Sequence, residues 1–341
     1  MSTPPGLDLP RLAAYLQDKA PGLVTGPIQA ELIAGGRSNL TYVVNEVFVL
    51  RRPPLGHVLA TAHDMSREHR IISALGPTAV PVPEALLLCE DDSVLGAPFY
   101  LMSRVPGVVL RSRKQTDALG EEARREVAFA MMDTLAELHR VDPAGVGLGD
   151  FGRPEGFLER QVRRWSKQLA QSTSRDLPDA SLLRDRLAAT IPVSATTAIV
   201  HGDYRLDNLI VDPDRLKVAA VLDWEMATVG DPLTDLGLLL AYWTVLDRLK
   251  IGFNPIAEGL GADAGFPSGD ELLQRYAVAS GAVLDDLHWY VAMACYKLAV
   301  VLEGIHYRYI SGQTVGAGFD QIGALVPPLL AQGLAAINGE S

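Results

Sequence analysis

The stretch His201-Gly202-Asp203-Tyr204-Arg205-Leu206-Asp207-Asn208, followed by Leu222-Asp223-Trp224-Glu225, decides how this chain is read. It sets an aspartate, an amide five residues on, and a second carboxylate after a gap of hairpin length. One carboxylate can orient and deprotonate a hydroxyl, while an amide oxygen and another carboxylate hold Mg²⁺ on the phosphates of ATP. Phosphoryl transfer asks for positioned groups and neutralised charge rather than covalent work by the protein. The spacing therefore predicts Asp203 as the catalytic carboxylate and Asn208 and Asp223 as Mg²⁺ ligands. Glu225 reads equally as a further metal ligand or a local hydrogen-bond partner. Arg205 is set between a contact with the transferring phosphate, which is favoured, and a salt bridge with Asp207. His201 is expected to brace the loop, because Asp203 already fills the proton-transfer role.

Upstream, apolar runs and turn residues predict five short strands and one main helix. The strands are Ile28–Ala34, Leu40–Val44, Val47–Arg51, Ala85–Cys89 and Pro98–Ser103, and the helix runs from about Ala62 to Leu75. Glu90-Asp91-Asp92-Ser93 reads as a turn. Gly35-Gly36-Arg37-Ser38-Asn39 joins the first two strands. Its glycines allow close approach to phosphates, and Ser38 or Asn39 can cap a phosphate oxygen. Strand alternation sends only one of Arg51 and Arg52 toward a cleft; Arg51, with Glu68 as its ionic partner, is the expected one. After Val105-Pro106-Gly107 the pattern turns helical, with helices at Glu121–Arg140, Gly156–Gln171 and Ala180–Ala189 and again from about Thr234 on. A short strand, Ala198–Val200, enters the His201 loop, and a hairpin follows it. The expected architecture is α+β and bilobal: residues 1–103 form a small antiparallel lobe, and 104–341 a larger, mostly helical catalytic and substrate-binding lobe. A cleft between such lobes is where a ligand is expected. Asp235 heads an apolar helix and can anchor the catalytic loop through its N–H groups. Trp243 and Tyr296 were the two aromatics favoured for an acceptor pocket.

At 341 residues and 48% hydrophobic content the chain can bury a large core. The formal charge of −11 argues against nucleic acid or an anionic membrane as partner. Cys89 and Cys295 are the only cysteines, so no disulfide framework or Cys-based metal site is implied. The start, MSTPPGLDLP, lacks the features of a signal peptide. The apolar segments near 233–247 and 289–305 carry Asp235, Lys297 and Glu303 and read as buried helices. A cytoplasmic protein is expected, with no indication of oligomeric state.

The pattern H-G-D-x-x-x-x-N, then L-D-W-E, then G-D-P-x-x-D-L resembles the aminoglycoside phosphotransferase and choline kinase superfamily of kinase-like enzymes across nearly the whole chain. Val49-Leu50-Arg51-Arg52-Pro53-Pro54, Ser66-Arg67-Glu68-His69-Arg70, Val80-Pro81-Val82-Pro83 and Leu88-Cys89-Glu90-Asp91 carry a closer resemblance. They match the kinase-like domain at the amino end of some acyl-CoA dehydrogenases. The resemblance implies a protein-kinase-like fold, with Asp203 as base, Asn208 and Asp223 on Mg²⁺, and adenine received by the backbone of Met102, Ser103, Arg104 and Val105. Phosphate contacts fall to Gly36, Ser38, Asn39 and the Arg51–Glu68 pair. It also implies a small-molecule hydroxyl acceptor, with hydroxyacyl-CoA thioesters or related hydroxy acids as the class.

Two departures from the kinase pattern matter. Arg51 stands where a lysine is usual, and the two cations are not equivalent. Only seven residues separate Asp223 from Asp231, which leaves no room for a long activation loop. The competing functions are an aminoglycoside 3′-phosphotransferase-type antibiotic kinase and a nucleotide-binding pseudokinase module. The second would be favoured by loss of Asp203, Asn208 or Asp223, and all three are present.

Overall fold

The computed structural model describes residues 4–33, 39–55, 64–194, 196–246, 261–313 and 319–340. The chain divides into two compact units. The first holds Met1–Gly107 together with Ala219–Ala227, and the second holds Val108–Val218 and Thr228–Ser341.

In the first unit, α1 (Leu9–Lys19) opens on Asp8, whose side chain accepts the Arg11 N–H. Five strands follow among the described residues: β1 (Ala30–Leu32), β2 (Leu40–Val44), β3 (Phe48–Arg52), β4 (Ala85–Cys89) and β5 (Phe99–Ser103). They form an antiparallel sheet in the order β1-β2-β3-β5-β4. Asn45 and Glu46 both take left-handed backbone angles, which turns β2 into β3. One face of the sheet presents Tyr42, Val44, Phe48, Leu50, Phe99 and Leu101 to Leu12 and Leu16 of α1. The opposite face carries Arg51 and Tyr100, which are paired neighbours on β3 and β5, and both reach Glu68 of α2 (Met65–Leu75). Alternation thus separates the two arginines. Arg52 points the other way and donates to the carbonyls of Gly6 and Leu95.

Two local details differ from the sequence reading. β1 is shorter than expected at its start, and α2 begins at Met65 because Asp64 caps it. The expected turn after β4 closes as a one-turn helix, α3 (Asp92–Leu95). Asp91 caps its first turn and Gly96 ends it in the left-handed region.

The second unit is mostly helical. Its helices are α4 (Arg113–Asp117), α5 (Glu121–Arg140), α6 (Phe157–Ser172), α7 (Pro178–Ala189), α8 (Leu233–Leu240), α9 (Gly269–Ser280), α10 (Leu287–Ile310) and α11 (Val326–Ile337). Here α10 is the central helix, packed on α6, α8 and α11, while α5 packs on α9. None of the described helices is long and apolar enough to cross a membrane. Short strands frame the functional loop: β6 (Ala198–Val200) pairs antiparallel with β9 (Thr228–Gly230), and β7 (Leu209–Asp212) pairs with β8 (Lys217–Val221). α8 runs on into a π-helical turn, Ala241–Leu246.

The crossing of α8 and α10 has no spare room at Gly237. A Cβ there would stand 2.5 Å from the backbone carbonyl of Tyr290. Gly237→Ala is therefore expected to destabilise the protein by about 1–3 kcal/mol through overpacking. Urea denaturation should show a lower midpoint with an unchanged slope.

Candidate active site

The loop after β6 is held from beneath by one carboxylate. Asp235, on the first turn of α8, has no exposed surface. It accepts the backbone N–H of His201 at 2.7 Å and of Gly202 at 2.8 Å, and His139 Nε2 of α5 lies 3.1 Å from it. Burial alone would raise its pKa, but the His139 hydrogen bond, the electrostatic pull of the neighbouring His139 and His201 and the His201 N–H bond bring it below the ordinary carboxylate value. His139 Nε2 donates to this carboxylate, and its Nδ1 lies 2.8 Å from the Tyr276 hydroxyl. His201 is fully buried, and its Nδ1 receives the Asp203 N–H at 3.2 Å. It acts on the loop backbone, as expected of a bracing residue.

Asp203 leaves this frame with both carboxylate oxygens held. Asn208 Nδ2 donates to Oδ2 at 3.1 Å and to the Asp203 carbonyl at 2.9 Å. The one-turn 3₁₀ helix Leu206–Asn208 brings the amide back to Asp203. Tyr242, on the π-helical turn after α8, donates its hydroxyl to Oδ1 at 3.3 Å. Arg205 reaches Asp207 at 3.1 Å and Asp203 at 3.5 Å, and its guanidinium lies over the Tyr242 ring at 4.9 Å. The salt bridge with Asp207, weighed in the sequence as the alternative for Arg205, is thus formed. Burial and the nearby Asp203 push the Asp207 carboxyl up to about 6, against the pull of Arg205.

In the first unit, Arg51 gathers three carboxylates. Its Nε lies 2.9 Å from Glu68, its Nη2 bonds Asp223, and Glu225 stands 3.8 Å from the same nitrogen. Burial disfavours the Arg51 charge, but Glu68, Tyr100, Asp223 and Glu225 outweigh it and raise its pKa. Glu68 is itself pushed up by burial, and Tyr100 donates to it at 3.0 Å. Asp223 adopts the left-handed region, at φ 66° and ψ 63°, a conformation rare for non-glycine residues and common where function stores strain. Asn39 is buried, and its Nδ2 donates to Glu68 at 3.1 Å and Glu225 at 3.2 Å. Its Oδ1 has no hydrogen-bond partner among the described residues. The Asn39 donor is therefore engaged by carboxylates, not held open as a phosphate cap. Gly36 and Ser38 lie outside the described residues. In the segment expected to receive adenine, the amides of Ser103 and Arg104 donate to the carbonyls of Glu84 and Val47. Met102 pairs within the sheet, and Val105 makes no backbone hydrogen bond among the described residues.

Within the first unit, the carboxylates around Arg51 are oxygen donors of the kind a hard divalent cation prefers. Three carboxylates face one guanidinium, which leaves net negative charge around Asp223. In the second unit, with its nitrogen on Asp203, Asn208 keeps its amide oxygen clear of hydrogen bonds among the described residues. No cluster of three or more His, Cys, Asp or Glu side chains forms a ready-made metal centre among the described residues.

Sequence reasoning missed Tyr242, Asp207 and Lys297 as neighbours of Asp203. The aromatics it favoured are core residues: Trp243 is buried and donates to the Pro267 carbonyl, and Tyr296 is buried and donates to Ser166. A π-turn shifts helical phase by one residue, and no sequence periodicity announces it.

A five-stranded antiparallel sheet with its helix, and a helical unit presenting a His-Gly-Asp loop, define the kinase-like fold of the aminoglycoside phosphotransferases. The chain belongs to the phosphotransferase enzyme family (APH), whose profile matches residues 29–289. It is 36% identical to acyl-CoA dehydrogenase family member 10 of the mouse, Mus musculus, over 92% of this chain. That match spans only 30% of the mouse protein. Among solved structures, one from Ralstonia eutropha JMP134, provisionally described as an aminoglycoside phosphotransferase, is 31% identical with a TM-score of 0.82. The two cover 97% and 98% of one another's chains. A 2″-aminoglycoside phosphotransferase solved with streptomycin and ATP shares the fold at a TM-score of 0.59 and 16% identity, over 89% of this chain and 91% of that one.

Asp235→Ala is expected to cost about 3–5 kcal/mol, because it leaves loop N–H groups and His139 without their acceptor. The pH dependence has a definite sign. A lowered folded pKa adds stability that is complete above the unfolded value of 3.8 and is lost as pH falls through the folded value. Asp235→Asn should therefore flatten the acid limb of a stability–pH curve measured by thermal unfolding.

Proposed function

We propose that this chain is an ATP- and Mg²⁺-dependent kinase that phosphorylates a hydroxyl of a small molecule. The observation that carries the reading is the Asp203 carboxylate, a quarter exposed and held at both oxygens by Asn208 and Tyr242. A carboxylate restrained in this way can orient an acceptor hydroxyl and take its proton. The acceptor oxygen bonds the γ-phosphorus as the bond to the β–γ bridging oxygen breaks. The proton passes to Asp203, and ADP leaves.

Asn208 through its amide oxygen, and Asp223 through its carboxylate, are the proposed Mg²⁺ ligands, with Glu225 as a third. Mg²⁺ would neutralise charge on the phosphates. Arg51, oriented by Glu68, is the cation for the α- and β-phosphates, and its planar fork suits phosphate oxygens. Arg205 is divided between Asp207 and Asp203 and can turn toward the transferring group as charge develops there. Adenine is assigned to the backbone near Met102, Ser103, Arg104 and Val105, with Val105 the position whose backbone stays open. The short Asp223–Asp231 interval supports a small acceptor rather than a protein. Similarity to a protein named as an acyl-CoA dehydrogenase family member supports hydroxyacyl-CoA thioesters or hydroxy acids as the class.

ATP consumption measured against hydroxyacyl-CoAs, free hydroxy acids, amino alcohols and aminoglycosides tests the assignment of acceptor. Asp203→Ala should lower phosphoryl transfer by about 10²-fold or more while leaving ATP affinity nearly intact; full turnover in that variant would refute the role. Asp223→Ala should abolish the Mg²⁺-dependent part of ATP binding. Calorimetry with and without Mg²⁺ checks this, and unchanged Mg·ATP affinity would contradict it.

A further inference from the structure

We propose that Lys297 of α10 and Arg164 of α6 form an anion-binding subsite beside Asp203, so that the acceptor carries a carboxylate or phosphate group. The inference rests on the phosphotransferase reading of Asp203 for its meaning, and on the second unit alone for its geometry.

Lys297 lies on a helix whose other inward residues are almost all apolar. Its ammonium donates to the carbonyl of Gly202 at 2.5 Å, one residue before Asp203. It also stands 5.6 Å from the centroid of Trp165, a buried ring on α6. The Arg164 guanidinium lies 5.2 Å from the same ring. Among the described residues neither cation has a carboxylate within ion-pair distance. Arg51, Arg175 and Arg205 have Glu68, Glu303 and Asp207 as partners, whereas the buried Arg52 is held by two backbone carbonyls.

Two cations sharing one aromatic ring are costly unless something offsets them. Desolvation pushes the Lys297 pKa down, Asp203 and Asp235 draw it back up, and Arg164 pushes it down again. The Trp165 ring offers some compensation through its negative face. The carbonyl of Gly202 takes one of the three ammonium donors, which leaves two. A carboxylate or phosphate would accept these and the Arg164 fork together, in charge-assisted hydrogen bonds. Arg164 is exposed and Lys297 half-buried, so a ligand can reach the pair from solvent. The same two charges oppose a polycationic aminoglycoside. They favour an acceptor with its hydroxyl at Asp203 and its anionic group toward Trp165.

Matched compounds test this directly. ω-Hydroxy carboxylates of three to five carbons, ω-hydroxyalkyl phosphates, diols and amino alcohols of the same lengths are titrated into the full chain with Mg·ADP present, by calorimetry. At least one anionic series should bind about tenfold or more tighter than the diols, with the amino alcohols weakest. The stronger anionic series identifies carboxylate or phosphate as the group. Lys297→Met and Arg164→Ala should each remove about tenfold of that preference, and Lys297→Arg should keep most of it. Arg164→Ala lies on an exposed helix position, so it reads out even where Lys297→Met disturbs the fold. Diols binding as tightly as anions, preference unchanged in both variants, or no anion binding at all overturns the subsite. Anion binding that the variants lose, without phosphoryl transfer from ATP to any compound, removes the kinase reading and leaves the subsite standing. Transfer to diols or amino alcohols without anion preference does the reverse.

Discussion

Asp235 has no solvent contact, yet its pKa lies below the ordinary carboxylate value. A buried charge is tolerated only when hydrogen bonds replace the water it lost. Here the replacements are the N–H groups of His201 and Gly202 and the Nε2 donor of His139. Those three donors come from the functional loop and from α5, so the carboxylate ties both to α8. The position of Asp203 follows. Its own N–H returns to His201 Nδ1, and its oxygens meet Asn208 and Tyr242. A loop built this way holds its carboxylate in one place before any ligand arrives, the condition under which positioning contributes to rate.

The first unit solves a related problem with the opposite charge. Arg51 is the buried cation, and Glu68, Asp223 and Glu225 surround it. The carboxylates outnumber the guanidinium, and burial raises the pKa of Glu68 among them. Asn39 adds its amide donor to the same carboxylates and leaves an oxygen with no partner among the described residues. Strand alternation makes this selective. Arg52 faces the other side of β3 and serves the backbone of Gly6 and Leu95. Adjacent arginines with equal chemistry therefore have different work, decided by the pleat.

Lys297 and Arg164 are the groups through which the proposed subsite would discriminate by charge. Most buried ionic groups here are matched, as in the bonding of Arg175 to Glu303 on α10. Lys297 and Arg164 have no carboxylate within ion-pair distance among the described residues, and the acceptor proposal rests on them rather than on the diffuse charge of −11. Net charge sums over the whole surface, whereas recognition depends on the few groups within a Debye length of the ligand.

Much of the fold was legible in the sequence, because alternating apolar residues and turn dipeptides act locally. The five strands and α2, the long α5, and α10 with its buried charges could be read from pattern alone. So could the family, since the His-Gly-Asp loop, Asp223 and Asp235 are close enough along the chain to form a recognisable string. What the string cannot contain is contact between distant segments. His139 meeting Asp235, Tyr242 meeting Asp203 and Lys297 meeting Gly202 join residues 96, 39 and 95 positions apart. Tyr242 reaches its partner through a π-turn, and Arg205 lies closer to Asp207 than to Asp203. The sequence by itself determined which chemical groups are available and the order in which they occur. Only tertiary packing decided which of them share a desolvated environment, where charges must be matched and hydrogen bonds must be made.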